Sequence, residues 1–279
     1  MKTSQEFLTE TNLNWTVSAQ ELQTSSGIIL EKQVAVVRDD TQKVLSVRGK
    51  GYELFQNEQL IELLLKVSEK SGLELHKGGY FGDGEKVYIQ LKSSNLRLGN
   101  DTIEGFVTGV NSFDGTTSLA FGHSNITISC QNTFFAAFRG LDSKVRHTKN
   151  MVYKIDDILR ETDSTLLRER DIFDAIVRLS EVPVTEKAKD MVIRTLFDIK
   201  PKIASYDEVS TYIKNRLIIY NDDLIGEMKE KNETMWGLFS GMTKYTTHSI
   251  KEDNTEAKLF GIFGERERVV FNKLVEMVY

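Results

Sequence analysis

At 279 residues the chain is long enough to bury one large core or two modest ones, and a formal charge of −5 makes it no overall binder of polyanions. An apolar fraction of 40% with 28% charged residues is that of a globular protein, and no run approaches the roughly 20 apolar residues of a membrane span. A single cysteine, Cys130, excludes an internal disulfide framework and suits a reducing cytoplasm, and the opening MKTSQEFLTETNLNW lacks the apolar segment of a signal peptide.

Leu13–Val17 has the pattern of an early strand, with Trp15 packed on a sheet. Gln33–Arg38 and Lys43–Arg48 are rich in β-branched residues around the polar Asp39-Asp40-Thr41-Gln42, a hairpin pattern. Asp39 and Asp40 are a conceivable metal pair, but turn chemistry is the better reading of two adjacent acids between strands. Arg48-Gly49-Lys50-Gly51-Tyr52 lacks P-loop spacing and fits a turn, or a small anion-binding nest. Asn57 has the chemistry of an N-cap for Glu58–Ser71, with Gly72 as the stop. Leu60, Ile61, Leu64, Leu65 and Val67 give that helix its apolar face.

Leu73–Tyr80 and Glu85–Lys92 form a second hairpin about Gly82-Asp83-Gly84. Ile103–Phe113 and Thr116–Cys130 form a third, longer pair about Asp114-Gly115, a favoured hairpin dipeptide. Asn132 then caps a short apolar helix, Thr133–Arg139. From Tyr153 the period is helical through Ile155, Ile158, Leu159, Leu166, Ile172 and Ile176, until Pro183 breaks it. Thr185–Ile199 is the next helix. Ser205 and Glu208 match a capping box that starts a long helix to about Lys231. Asn232 caps a segment carrying Trp236, and Glu265–Tyr279 is the last helix.

Consecutive hairpins before about residue 131 and helices after about residue 155 predict an α+β fold. The expected organisation is an antiparallel α+β domain over residues 1–150, with hairpins and packed helices, and a mostly α-helical region over 151–279 packed on it.

The chemistry-bearing residues are sparse. His76, His123, His147 and His248 stand in no zinc-binding pattern, and Cys130 has no C-x-x-C partner. Cys130 with His123 as a nucleophile pair is conceivable, but a lone cysteine in an apolar strand is the mark of a core residue. Asp156-Asp157 and Asp222-Asp223 are adjacent on helices, so each pair splays about 100° apart and decorates a solvated face. No metal, no cofactor and no catalytic residue is expected.

Charge is unevenly spread. Phe138–Lys154 carries Arg139, Lys144, Arg146, Lys149 and Lys154 against one acid, Asp142, a local charge of +4. Such a stretch is either a phosphate-contacting surface, with Arg48 and Lys50 as additions and Tyr153 as a stacking group, or an ordinary solvated loop.

The chain as a whole resembles the phage- and plasmid-borne family called domain of unknown function 932. The resemblance rests on Asn14-Trp15-Thr16-Val17, on Arg38-Asp39-Asp40 with Val44-Leu45 and Tyr52–Asn57, and on Cys130-Gln131-Asn132-Thr133. It extends to Thr234–Phe239 with Thr243-Lys244-Tyr245 and His248. Ser129-Cys130 departs from the Arg-Val that usually precedes that cysteine, so nothing is carried over from that arginine. The resemblance implies a mobile-element origin, the cytoplasm of a bacterial host, and no established enzymatic activity. The expected function is non-enzymatic binding of single- or double-stranded DNA, in annealing or recombination, by a homo-oligomer without membrane attachment. The alternative is a phage accessory or counter-defence protein that binds a host or phage protein through its helical half. A metal-dependent nuclease would need a carboxylate cluster that spacing along the chain does not reveal.

Overall fold

The computed structural model describes residues 3–99, 101–124, 141, 143–160, 162–249 and 262–279. These divide into two compact units, Met1–Glu169 and Arg170–Tyr279. The division falls inside a helix, later than the residue-150 boundary expected from the change of pattern.

The first unit opens with α1 (Ser4–Glu10), whose Thr3 and Glu6 form a capping box. Strands β1 (Val17–Gln23), β2 (Ile29–Arg38) and β3 (Lys43–Gly49) then make a three-stranded antiparallel sheet in that order. Helix α2 (Asn57–Ser71) follows, and β4 (Glu74–Phe81), β5 (Lys86–Leu98), β6 (Asp101–Ser112), β7 (Leu119–Ser124) and β8 (Ser143–Val145) make a five-stranded antiparallel meander. The second and third hairpins lie where turn chemistry puts them: Gly82, Gly84 and Gly115 all take positive φ, the conformation that glycine supplies without strain.

One face of the meander carries Val87, Ile89 and Leu91 of β5, opposite Asn111, Gly109 and Val107 of β6. The α2 residues Leu60, Ile61, Leu64 and Val67, all fully buried, pack there with them in one apolar cluster. Each such side chain contributes about 1.5–3 kcal/mol by leaving water. Gly109 lets the helix approach, since a Cβ there would lie 2.7 Å from Leu64 Cδ2. Met151 and Ile158 of α3 (Met151–Arg160) join the same core.

Four local readings change. The early strand begins at Val17 rather than at Leu13, because Leu13 and Trp15 lend their carbonyls to a side chain: Asn57 Nδ2 donates to both, at 3.0 and 3.2 Å. Asn57 is therefore a buried tether, and Gln56 takes the N-cap position. Ser205 starts only a single 3-10 turn, Tyr206–Glu208, since Val209 is extended and Ser210 caps the long helix. Asn232 sits at φ +53°, and Thr234 caps the Trp236 helix. The expected helix Thr133–Arg139, its cap Asn132, and Cys130 lie outside the described residues.

The second unit is helical. It takes the later part of α4 (Thr162–Glu181), then α5 (Glu186–Phe197), α6 (Thr211–Glu230), α7 (Met235–Lys244) and α8 (Ile262–Val278). Thr185 and Ser210 cap α5 and α6 with side-chain hydrogen bonds. Leu179, Val192, Leu196, Leu238, Val270 and Leu274 are among its fully buried apolar residues. Tyr220 and Tyr245 meet edge to face at 5.8 Å within it, and Trp236 packs on Phe239 at 5.8 Å. At Gly241 the backbone of α7 closes on α6, where a Cβ would lie 2.9 Å from Leu224 Cα. Among the described residues no helix is long and apolar enough to cross a membrane.

Candidate nucleic-acid interface

The basic stretch begins as the edge strand of the meander. In β8, Ser143, Lys144 and Val145 pair with Phe121, Ala120 and Leu119 of β7. Val145 and His147 point inward and are buried, which turns Lys144 and Arg146 outward by strand alternation. Lys149 is exposed in the turn before α3, and Lys154 is exposed on α3 itself. Tyr153 beside it is 77% exposed, an open aromatic ring next to a cation. Arg139 lies outside the described residues.

His147 fixes this stretch to the segment that follows β3. Its ring stacks on Tyr52 at 4.7 Å with planes 22° apart, and its Nδ1 lies 3.0 Å from the Glu53 carbonyl oxygen. The Glu53 amide donates to the His147 carbonyl at 3.3 Å, so the two segments are bonded in both directions. The Tyr52 hydroxyl donates to the Ser112 carbonyl at 2.7 Å, and burial pushes that phenol up to about 12. Exposed Lys50 stands two positions before Tyr52, the residue on which His147 stacks.

Arg48 is placed differently. Its guanidinium is half-buried, donates to the Asp114 carbonyl and to Ser46 Oγ, and lies against Gly115. It stitches β3 to the β6–β7 turn, which leaves Lys50 as the outward cation of the pair. The nest reading of Gly49-Lys50-Gly51 gives way to a turn, in which the Tyr52 amide donates to the Gly49 carbonyl at 2.9 Å.

Burial holds the His147 imidazole below its ordinary range, against the Glu53 carbonyl, which favours the charged form. Nε2 is buried with no partner among the described residues, so the ring is neutral with its proton on Nδ1. A base depressed on folding stabilises the fold above its unfolded value, near pH 6.5, and that contribution is lost as pH falls below it. Wild-type stability is therefore expected to drop between about pH 7 and pH 5.5 more steeply than that of His147→Phe, which keeps the ring but not the titration. Parallel urea-midpoint curves for the two proteins would remove His147 as the titrating group.

Asp39, Asp40 and His123 make contacts within the fold. Asp39 accepts hydrogen bonds from Thr16 Oγ1 at 2.7 Å and Ser18 Oγ at 2.6 Å. Asp40 holds Arg38 in a two-pronged pair at 2.8 and 3.1 Å. That guanidinium lies 4.2 Å over Trp15, a cation–π contact beneath the hairpin. Trp15 is packed on the sheet as the sequence indicates, edge to face with Tyr80 at 5.7 Å. No group of three potential metal ligands occurs among the described residues. His123 of β7 is buried with Nε2 at 3.5 Å from Glu169 Oε1, and Ser93 donates to the other oxygen of the same carboxylate. Burial favours protonated Glu169, but the His123 and Ser93 bonds outweigh it and keep the carboxyl below its usual range. Sequence reading had no signal for Glu169, because its partners lie on β5 and β7, remote in the chain. The stack of His147 on Tyr52 was equally hidden, because it joins strand ends that are remote in the chain.

The family model described as Domain of unknown function (DUF932) matches residues 44–263, from β3 to the start of α8, and takes in every described cation of the candidate surface. No curated protein and no solved structure gives a significant match. With most of its length matched, the chain belongs to the family described as Domain of unknown function (DUF932).

Proposed function

We propose that this chain is a non-enzymatic nucleic-acid-binding protein of phage or plasmid origin that works in a bacterial cytoplasm. Its substrate is single-stranded DNA, held by the phosphates in annealing or recombination. The observation that carries the reading is the run of outward cations along β8 and α3: Lys144, Arg146, Lys149 and Lys154, with exposed Lys50 two positions before the Tyr52 ring that stacks on His147. A body of charge −5 repels a polyanion at long range, so binding needs positive charge concentrated within a Debye length, about 8 Å at physiological salt. Tyr153 offers a base a stacking platform at the same surface.

Affinity is expected to fall with salt at a slope of roughly −0.7 per phosphate contacted on a single strand. The variant with Lys144, Arg146 and Lys149 all changed to Ala should bind every sequence more weakly, with a slope flatter by about two. Gel-shift titrations of both proteins on single- and double-stranded DNA decide the matter. An unchanged slope in a folded triple variant takes the surface out of the site, and no shift even at low salt removes the reading.

The alternative, an accessory or counter-defence protein that binds another protein, draws support from the exposed apolar residues of α6. It predicts no polynucleotide affinity, and loss of partner binding on substitution of those residues.

A further inference from the structure

Helix α6 is amphipathic on its inner side and anomalous on its outer side. Tyr220, Leu224 and Met228 are buried, as an ordinary surface helix requires. Yet Ile218 is 62% exposed and Ile225 66%, with Ile219 at 43% and Tyr212 at 62% on the flank. Ile218 and Ile225 are two turns apart and within about 20° of each other around the axis, so they form one outward seam. Two charges frame it. Lys214 and Asp222, both exposed, stand one turn before and one turn after Ile218 on the same ridge. Neither makes an ion pair among the described residues.

We infer that this seam is a self-association face, which pairs antiparallel with α6 of a second copy about a two-fold axis at Ile218. The argument is charge complementarity. In that alignment Ile218 meets Ile218 of the second copy, and Lys214 of each copy faces Asp222 of the other, giving two symmetric ion pairs around an apolar centre. A parallel alignment would set lysine against lysine and aspartate against aspartate. Ile225 falls opposite Thr211 and the neighbouring Tyr212 ring, over which Arg216 lies at 4.5 Å. The interface is isologous, as two-fold pairs are. One helix pair buries less than a standard interface, so the dimer is concentration-dependent and weak. The inference is independent of the nucleic-acid reading, because it uses none of the proposed phosphate-contacting cations.

Sedimentation velocity on the full chain tests it, with far-UV circular dichroism to confirm folding. Wild type should dimerise as concentration rises. Lys214→Asp and Asp222→Lys should each weaken the dimer by about tenfold or more, since each turns two attractions into repulsions. Mixing those two variants in equal amounts should restore dimer, as should combining both changes in one chain. Ile218→Asp should abolish it in every background. A wild type that stays monomeric at all concentrations overturns the inference. So does a dimer indifferent to the single charge reversals, or a mixture of the two variants that fails to associate.

Discussion

Gly109→Val is expected to lower the stability of the first unit by about 3 kcal/mol, the upper part of the range for overpacking a filled core. Gly109 lies in β6, between β5 and β7, and faces α2. A Cβ there would lie 2.7 Å from Leu64 Cδ2 and 3.2 Å from Leu60 Cδ1, and both leucines are fully buried. A branched side chain has nowhere to go unless the helix lifts, and the helix is held by four buried apolar contacts. The urea midpoint measures the loss. Leu64→Ala alone should cost about 2–5 kcal/mol by leaving a cavity. Combined with Gly109→Val it should cost less than the sum, because each change relieves the other. Additive losses would mean that the helix and strand do not meet at Gly109.

Lys86→Met is expected to cost about 3–5 kcal/mol at neutral pH, the penalty for leaving one member of a buried ion pair alone. Lys86 Nζ is 2.6 Å from Asp114 Oδ2, with side chains only 8% and 14% exposed. Methionine keeps most of the packing of the lysine stem, so the loss reports the charge rather than the volume. Burial pushes the Asp114 carboxyl up, but bonds from Lys86 and from the Thr116 amide and hydroxyl outweigh it and hold the group below its usual range. The sign follows from that depression. Asp114 stabilises the fold above its unfolded value, near pH 3.9, and the contribution is lost as pH falls through the lower folded value. The variant lacks the depression by Lys86, so its stability curve should converge on that of wild type in acid. A gap of constant size from about pH 7 to pH 3 would sink the assignment.

The hairpins were legible because their turns are local. Asp114-Gly115 and Gly82–Gly84 state their backbone conformation in the sequence itself, and β-branched runs flank them. Features that depend on a distant partner were not legible. Strand β8 is three residues long, and its register against β7 defines it rather than any propensity of Ser143-Lys144-Val145. Asn57 looked like a cap because asparagine before an apolar helix usually is one; two carbonyls more than forty positions earlier captured its amide instead. Helix α1 is seven residues, too short for periodicity to register, although its Thr3–Glu6 capping box was present in the sequence. At the candidate surface the concentration of positive charge was visible from composition alone. Which cations face outward was not, because Arg48 and Lys50 are separated in role by a turn carbonyl at Asp114 that no spacing rule connects to them.

The two tryptophans fall one to each unit: Trp15 in the first, packed against Tyr80 and under the Arg38 guanidinium, and Trp236 in the second, beside Phe239. Each unit therefore carries its own intrinsic fluorophore. Trp15→Phe leaves an emission spectrum that belongs to the helical unit alone, and Trp236→Phe leaves one that belongs to the unit with the two sheets. Denaturation followed in the two single-tryptophan proteins resolves whether the units melt as one or in succession. A red shift confined to Trp15 would mark loss of the aromatic and cationic shell around the first hairpin.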